Sequence, residues 1–196
     1  GSVGTASVVF VGTGSLLGLA DRTVTTPQSF YAIKYPLDST DWGVAKGESI
    51  VEQIVTTTGA TRSTSVNQVD WATKVGWYID LPSVGERANT DPALIAGLIG
   101  FTTNIPKDDV CSFGGSSWFY TLDYRTGGVL PGLVSGQFLG NVLVTAVKFI
   151  TSTQQGDAVY SKIEDNVGRD ITNSATIPPG SESVRRILWR ELITDR

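Results

Sequence analysis

Histidine and methionine are absent from the 196 residues, and cysteine occurs once. The missing histidine removes the commonest general base and the commonest transition-metal ligand. A lone Cys111 allows neither a disulfide within the chain nor a zinc site built on thiolates. Charge is also scarce, and 19 acidic residues outweigh 15 basic ones, for a formal net charge of −4. That balance excludes a nucleic-acid partner, which needs clustered Lys and Arg. The densest basic spot, Arg185, Arg186 and Arg190, is interleaved with Ile187, Leu188 and Trp189, which reads as the solvated face of an alternating strand. No run approaches about 20 consecutive apolar residues, so no segment reads as a membrane-spanning helix. The chain opens Gly1-Ser2 without an initiator methionine, and is expected to be an excised or processed piece of a longer protein.

What is abundant is glycine, threonine, serine and valine, the composition of strands and turns. Three stretches share one pattern, an apolar run followed at a distance by an aromatic strand. Val8–Gly14 precedes Ser29–Ile33, Leu98–Thr103 precedes Trp118–Asp123, and Val144–Ile150 precedes Ala158–Ile163. Each half is short, rich in β-branched or aromatic residues, and bounded by Gly, Pro, Asp or Ser. Further strands are expected at Val75–Leu81, which ends at Pro82, and at Val184–Ile193. Trp77, Trp118 and Trp189 stand in these segments as candidate core anchors. The start of Ile50–Val69 suits a helical turn or two, because Ile50, Val51, Ile54 and Val55 fall at i, i+1, i+4 and i+5 before Thr56–Gly59 stops it, and a strand reading is nearly as good. Asn166–Gly180 is polar, contains Pro178-Pro179-Gly180, and reads as a long loop.

A recurring hairpin-sized unit suggests blades or stacked repeats. The expected fold is therefore all-β, with residues 1–196 forming one region of antiparallel, propeller-like blades. At roughly 40–50 residues per blade the chain holds about three to four, a partial β-propeller rather than a closed ring. Such a piece should expose surface where further blades would pack.

Few residues suggest chemistry. Gly12-Thr13-Gly14-Ser15-Leu16-Leu17-Gly18 follows an apolar strand, but its third glycine is one position late for a dinucleotide fingerprint, and Asp21–Pro27 makes a poor helix. Gly12 and Gly14 are instead expected to form a tight β-turn. Glu164, Asp165, Asn166 and Asp170 are the densest oxygen ligands, without the residue order of a calcium loop; they read as a solvated acidic turn. Asp108-Asp109 and the pair Asp38 and Asp41 are weaker still. Cys111 has no histidine to activate it, which leaves a disulfide to a cysteine outside this chain or a buried free thiol.

Four blocks of the sequence carry a resemblance. Phe10–Gly14 with Leu17-Gly18, Asp21 and Gln28–Ile33 resembles the opening block of the PilY/PilC family of type IV pilus tip adhesins and assembly proteins. Gly76–Pro82 with Gly85-Glu86-Arg87 resembles the next. Cys111, Gly114-Gly115, Trp118, Leu122-Asp123 and Thr126-Gly127-Gly128 resemble the third, and Trp189-Arg190-Glu191-Leu192 the family's C-terminal ending. The blocks keep the family's order across nearly the whole chain.

The resemblance implies the C-terminal portion of a larger propeller domain, related to quinoprotein propellers but not an enzyme. It implies export by a Gram-negative bacterium to the pilus tip, outer membrane surface or periplasm. The implied partners are minor pilins or other pilus subunits and a host or abiotic surface receptor. The family's Ca²⁺ loop has no match here and is expected outside this chain, so no cofactor is assigned to these residues. The competing expectations are a quinoprotein-like or glycan-active propeller enzyme, and a subunit of a multi-chain surface assembly.

Overall fold

The computed structural model describes residues 2–3, 6–35, 46–95, 97–107, 114–152, 158–165 and 168–175. Cys111, Trp189, the Val184–Ile193 strand, the basic spot at 185–190 and the aspartates 38, 41, 108 and 109 lie outside these residues.

Among the described residues the regular structure is almost wholly strand. The strands are β1 (Ser2–Val3), β2 (Ala6–Gly12), β3 (Ser29–Tyr35), β4 (Ile50–Gln53), β5 (Val55–Thr58), β6 (Thr61–Thr64) and β7 (Gly76–Asp80). There follow β8 (Ala93–Ile95), β9 (Leu98–Pro106), β10 (Gly115–Asp123), β11 (Gly136–Gly140), β12 (Val144–Ser152), β13 (Ala158–Asp165) and β14 (Asp170–Ala175). Among the described residues the one helical element is a single 3₁₀ stretch, Leu19–Thr23, between β2 and β3.

All three repeated units form antiparallel pairs. β2 pairs with β3 from Ser7 opposite Tyr35 to Gly12 opposite Phe30. β9 pairs with β10 from Leu98 opposite Asp123 to Pro106 opposite Gly115. β12 pairs with β13, with a bulge between Val144 and Ala146. β-branched and aromatic side chains fit the pleated surface of such pairs, which is why these runs fold as strands.

The strands make three sheets, ordered β1-β2-β3-β7-β4, β5-β6-β11-β10-β9-β8 and β12-β13-β14. Among the described strands only β4 and β7 pair in parallel, with Val51 opposite Trp77. The six-stranded sheet is the middle layer. On one side of it Phe30 stacks on Phe101 with ring centroids 3.8 Å apart, and Phe101 on Tyr120 at 4.8 Å. Trp77, Ile79, Ile99, Trp118 and Leu122 fill the same core. Alternate residues of β10 point the other way, so Phe119 packs with Val144, Val147, Ile163 and Phe149 of the three-stranded sheet. The Asn104 side chain reinforces that junction by bonding both the N–H and the C=O of Val144, at 2.9 Å each.

Several expectations are corrected. Ile50–Val69 begins with three strands, β4 to β6, and no helical turn: Gln53 and Val51 point into the core while Glu52 faces out, a period of two. The loop expected over Asn166–Gly180 contains strand β14, which pairs with β13 from Asp170 opposite Glu164 to Ala175 opposite Val159. Asp165 is not in a solvated turn. It is buried, with Oδ1 accepting from the Arg169 backbone N–H at 2.7 Å and Oδ2 from Arg169 Nε at 2.8 Å. Asp170 pairs with Lys162 Nζ at 2.9 Å. The sheets hold five, six and three strands rather than the four of a regular blade, and the described strands close no barrel.

Candidate interaction surface: a pinned loop over a buried ion pair

The connection from Thr13 to Gln28 is the longest described link between paired strands, and it is not the tight turn expected of Gly12 and Gly14. Gly12 lies within β2, and a Cβ there would collide with the Ala88 carbonyl. Gly14 has a φ of +102°, and a Cβ there would meet the Arg87 side chain. The two glycines let the chain leave β2 pressed against residues 87–88, where Ala88 N–H donates to the Thr13 carbonyl at 3.0 Å. The single 3₁₀ turn that follows offers no helix terminus to a phosphate, so the dinucleotide resemblance ends at the glycine spacing.

Glu86 and Arg87 organise this region from two sides. Along an extended backbone consecutive side chains point opposite ways. Arg87 reaches outward and spends its guanidinium on backbone carbonyls: Ser15 at 2.7 Å, Asp21 at 2.5 Å, Val24 at 3.0 Å and Gly85 at 3.0 Å. The loop answers with Asp21, whose Oδ2 accepts from Leu17 N–H at 2.7 Å, Gly18 N–H at 3.0 Å and the Ser15 hydroxyl at 3.1 Å. These donors, the Leu17 N–H foremost, hold the Asp21 carboxyl below its ordinary pKa. Arg22 in turn donates from Nε to the Lys107 carbonyl at 2.9 Å. Burial of Arg87 holds its pKa below the ordinary value.

Glu86 turns inward. Its Oε1 lies 2.6 Å from Arg62 Nη1, with the two side chains 0% and 1% exposed. The same oxygen accepts from the Thr103 hydroxyl at 2.6 Å and lies 3.3 Å from the Tyr120 hydroxyl, while Ser83 N–H donates to Oε2 at 3.2 Å. Arg62 also donates to the Tyr120 hydroxyl and, at 2.7 Å, to Ser83 Oγ. Its guanidinium stacks 3.7 Å above the Trp118 ring. Burial, and next the Glu86 charge, push the Tyr120 hydroxyl well above its ordinary pKa.

Trp77 and Trp118 are buried in the core, and Trp118 is also the floor under Arg62. The sequence alone does not single out Arg62, because no acidic residue stands near it between Val55 and Val69. The signal for it was the strand itself: in β6 Arg62 shares its face with Thr64, and a buried arginine demands an acidic partner such as Glu86. Among the described residues no three of His, Cys, Asp and Glu gather as a metal group, and the oxygens of Asp165 and Asp170 are engaged by Arg169 and Lys162.

What the geometry delivers is display. The loop is held by charged hydrogen bonds at its root, while Leu17 is 96% exposed, Leu19 70% and, on the adjoining Ser83–Gly85 turn, Val84 74%.

Comparison with known proteins finds two relatives. The chain is 30% identical over 139 residues to a type IV pilus biogenesis factor PilY1 homolog of Xylella fastidiosa strain Temecula1, covering 65% of this chain and 9% of that protein. A second PilY1 homolog of that strain is 26% identical over 226 aligned positions, covering 94% of this chain and 16% of that protein. The chain therefore spans between about a tenth and a sixth of the length of these relatives. No family model matches, and no solved structure matches. Among the described residues no helix is long and apolar enough to cross a membrane.

Proposed function

We propose that this chain is a structural and adhesive module of an exported, type IV pilus-associated protein, supporting pilus assembly and surface attachment without catalysing a reaction. Its similarity to two factors named for type IV pilus biogenesis supports the pilus reading. The observation that carries the module reading is how the charges near the loop are used. Arg87, Asp21 and Arg62 with Glu86 are all bonded into holding backbone or each other, which makes a stiff platform under an exposed loop.

The finer architecture belongs to the same proposal. Strands β8, β9, β10 and β11 are consecutive, antiparallel neighbours, the up-and-down order of one propeller blade. The middle sheet is covered on both faces, whereas Val9 and Val11 leave an exposed apolar stripe on the face of the five-stranded sheet turned away from the core. A larger propeller would lay its next blade there. The module would act at the pilus tip or the outer membrane surface. Its partners would be minor pilins or other pilus subunits and a host or abiotic receptor, with any calcium bound elsewhere in the longer protein.

The test replaces the segment encoding residues 1–196 with a flexible linker in the native gene. Surface pili are then counted by electron microscopy and attachment to an abiotic surface is measured. Both are expected to fall. Undiminished piliation and attachment would overturn the proposal, and a loss of attachment alone would confine it to adhesion.

A further inference from the structure

Residues 81–88 run beneath the Thr13–Gln28 loop from its last residue to its first. Leu81 N–H donates to the Gln28 carbonyl at 2.9 Å and Ala88 N–H to the Thr13 carbonyl at 3.0 Å, so both ends of the loop are stitched to this strap. Between those ends Arg87 holds the Ser15, Asp21 and Val24 carbonyls. The first stitch has no slack, since a Cβ on Gly12 would collide with the Ala88 carbonyl and one on Gly14 with Arg87 Cβ. The other side of the strap enters the core. Arg87 exchanges both backbone hydrogen bonds with Asn104 of β9, at 3.0 and 2.9 Å, an antiparallel bridge one residue long. Side chains of β9 alternate there. The Thr103 hydroxyl meets Glu86 at 2.6 Å, while the Asn104 side chain reaches the Val144 backbone and the Ser117 hydroxyl. Glu86, Arg87 and Ala88 are only 1%, 2% and 5% exposed, although two of them carry charge and all three belong to a connecting segment.

These two sets of bonds cannot be broken separately. The strap cannot leave β9 without drawing Glu86 away from Arg62, which strands a buried charge without its partner. The loop cannot lift alone either, because Leu81 and Ala88 N–H would lose their acceptors and the Arg87 guanidinium three of its carbonyls. We propose that Leu81–Ala88 is a coupling strap that joins the loop, the Arg62–Glu86 pair and the Asn104 junction into one cooperative unit, closed or open as a whole. Opening of the loop and loss of the buried pair are then a single event. By linkage, whatever holds the loop closed also stabilises the junction between the middle and three-stranded sheets. The device is internal to the chain and does not depend on which partner the module meets.

The test is native-state hydrogen exchange on the whole chain, comparing the wild type with Thr103→Val and Asp21→Asn where exchange reports the opening equilibrium. Thr103→Val removes one bond to Glu86 on the core side and keeps the side-chain shape. It should speed exchange at the Leu17 and Gly18 N–H groups by the same factor as at Arg87 and Asn104, about ten- to a hundredfold for a lost bond to a buried charge. Lys34 N–H, which donates to the Val75 carbonyl at the far end of β3, should keep its rate. Asp21→Asn weakens the loop from its exposed side, and should speed exchange at Asn104 N–H in the middle sheet. Loop amides that keep wild-type rates in Thr103→Val while Arg87 and Asn104 speed up would overturn the coupling. An unchanged Asn104 rate in Asp21→Asn would overturn it as well. So would a rise at Lys34 equal to that at Asn104, because the chain would then open as a single body and the strap would bound no unit of its own.

Discussion

Glu86 and Arg87 are adjacent in the chain and serve opposite sides of it: Glu86 meets Arg62 in the core at 2.6 Å, while Arg87 clasps three carbonyls of the Thr13–Gln28 loop. One short turn, Ser83–Arg87, thereby locks the surface loop to the packed interior. The coupling depends on the ion pair staying paired, because a buried charge without its partner is far more costly than no charge at all.

This dependence predicts an asymmetry between single and double changes. Glu86→Leu leaves Arg62 charged and buried, with Nε already lacking a hydrogen-bond partner, and should destabilise by about 3–5 kcal/mol. The double change R62M/E86L removes both charges and keeps the volume, so it should cost much less. Urea unfolding of the three proteins measures the difference. A single variant no less stable than the double would show that the pair contributes little.

The core itself was largely readable in advance, and the reason is local. Val8–Gly12 with Ser29–Ile33, and the two later repeats, combine β-branched and aromatic residues with turn-forming boundaries, signals that do not depend on the rest of the fold. Sheet order was not readable. Nothing near Trp77 announces that β7 lies between β3 and the parallel β4, since such pairing is settled by which apolar faces meet across long separations. Strand β14 was hidden because Asp170–Ala175 has only one large apolar residue and takes its conformation from the neighbouring β13. In the site, the block Gly85-Glu86-Arg87 was noticed only as a resemblance; its two charges acquire roles through Arg62 and Asp21, each distant in sequence.

The tryptophans give a second prediction. Trp77 is fully buried among Phe30, Ile79 and Leu122, and its indole N–H donates to the Tyr124 carbonyl at 3.0 Å. Trp118 packs against Phe138, with centroids 5.2 Å apart, and carries the Arg62 guanidinium. Replacing either with alanine should cost about 3–5 kcal/mol in chemical denaturation. Trp118→Phe should recover much of that loss, since a smaller aromatic face still supports the cation. A loss under about 1 kcal/mol for Trp118→Ala would remove Trp118 from the core, by the same measure.

Asp21 makes the loop sensitive to acid in a defined direction. Its carboxylate accepts from Leu17 N–H, Gly18 N–H and the Ser15 hydroxyl, and its pKa is lowered from the ordinary 3.8. A carboxyl with a depressed folded-state pKa contributes in full above its unfolded value, and that contribution is lost as the pH falls through the depressed value. The loop should therefore stay pinned from neutral pH down through the range where ordinary carboxylates begin to protonate, and loosen only below it. Hydrogen exchange at the Leu17 and Gly18 amides, corrected for the intrinsic pH dependence of exchange, should keep constant protection down to about pH 4 and lose it in stronger acid. Asp21→Asn should show the loosened behaviour already at neutral pH, because a neutral amide oxygen then stands where the charged Oδ2 accepts all three bonds. Protection lost between pH 7 and 5 in the wild type would mean that some other group, not Asp21, holds the loop.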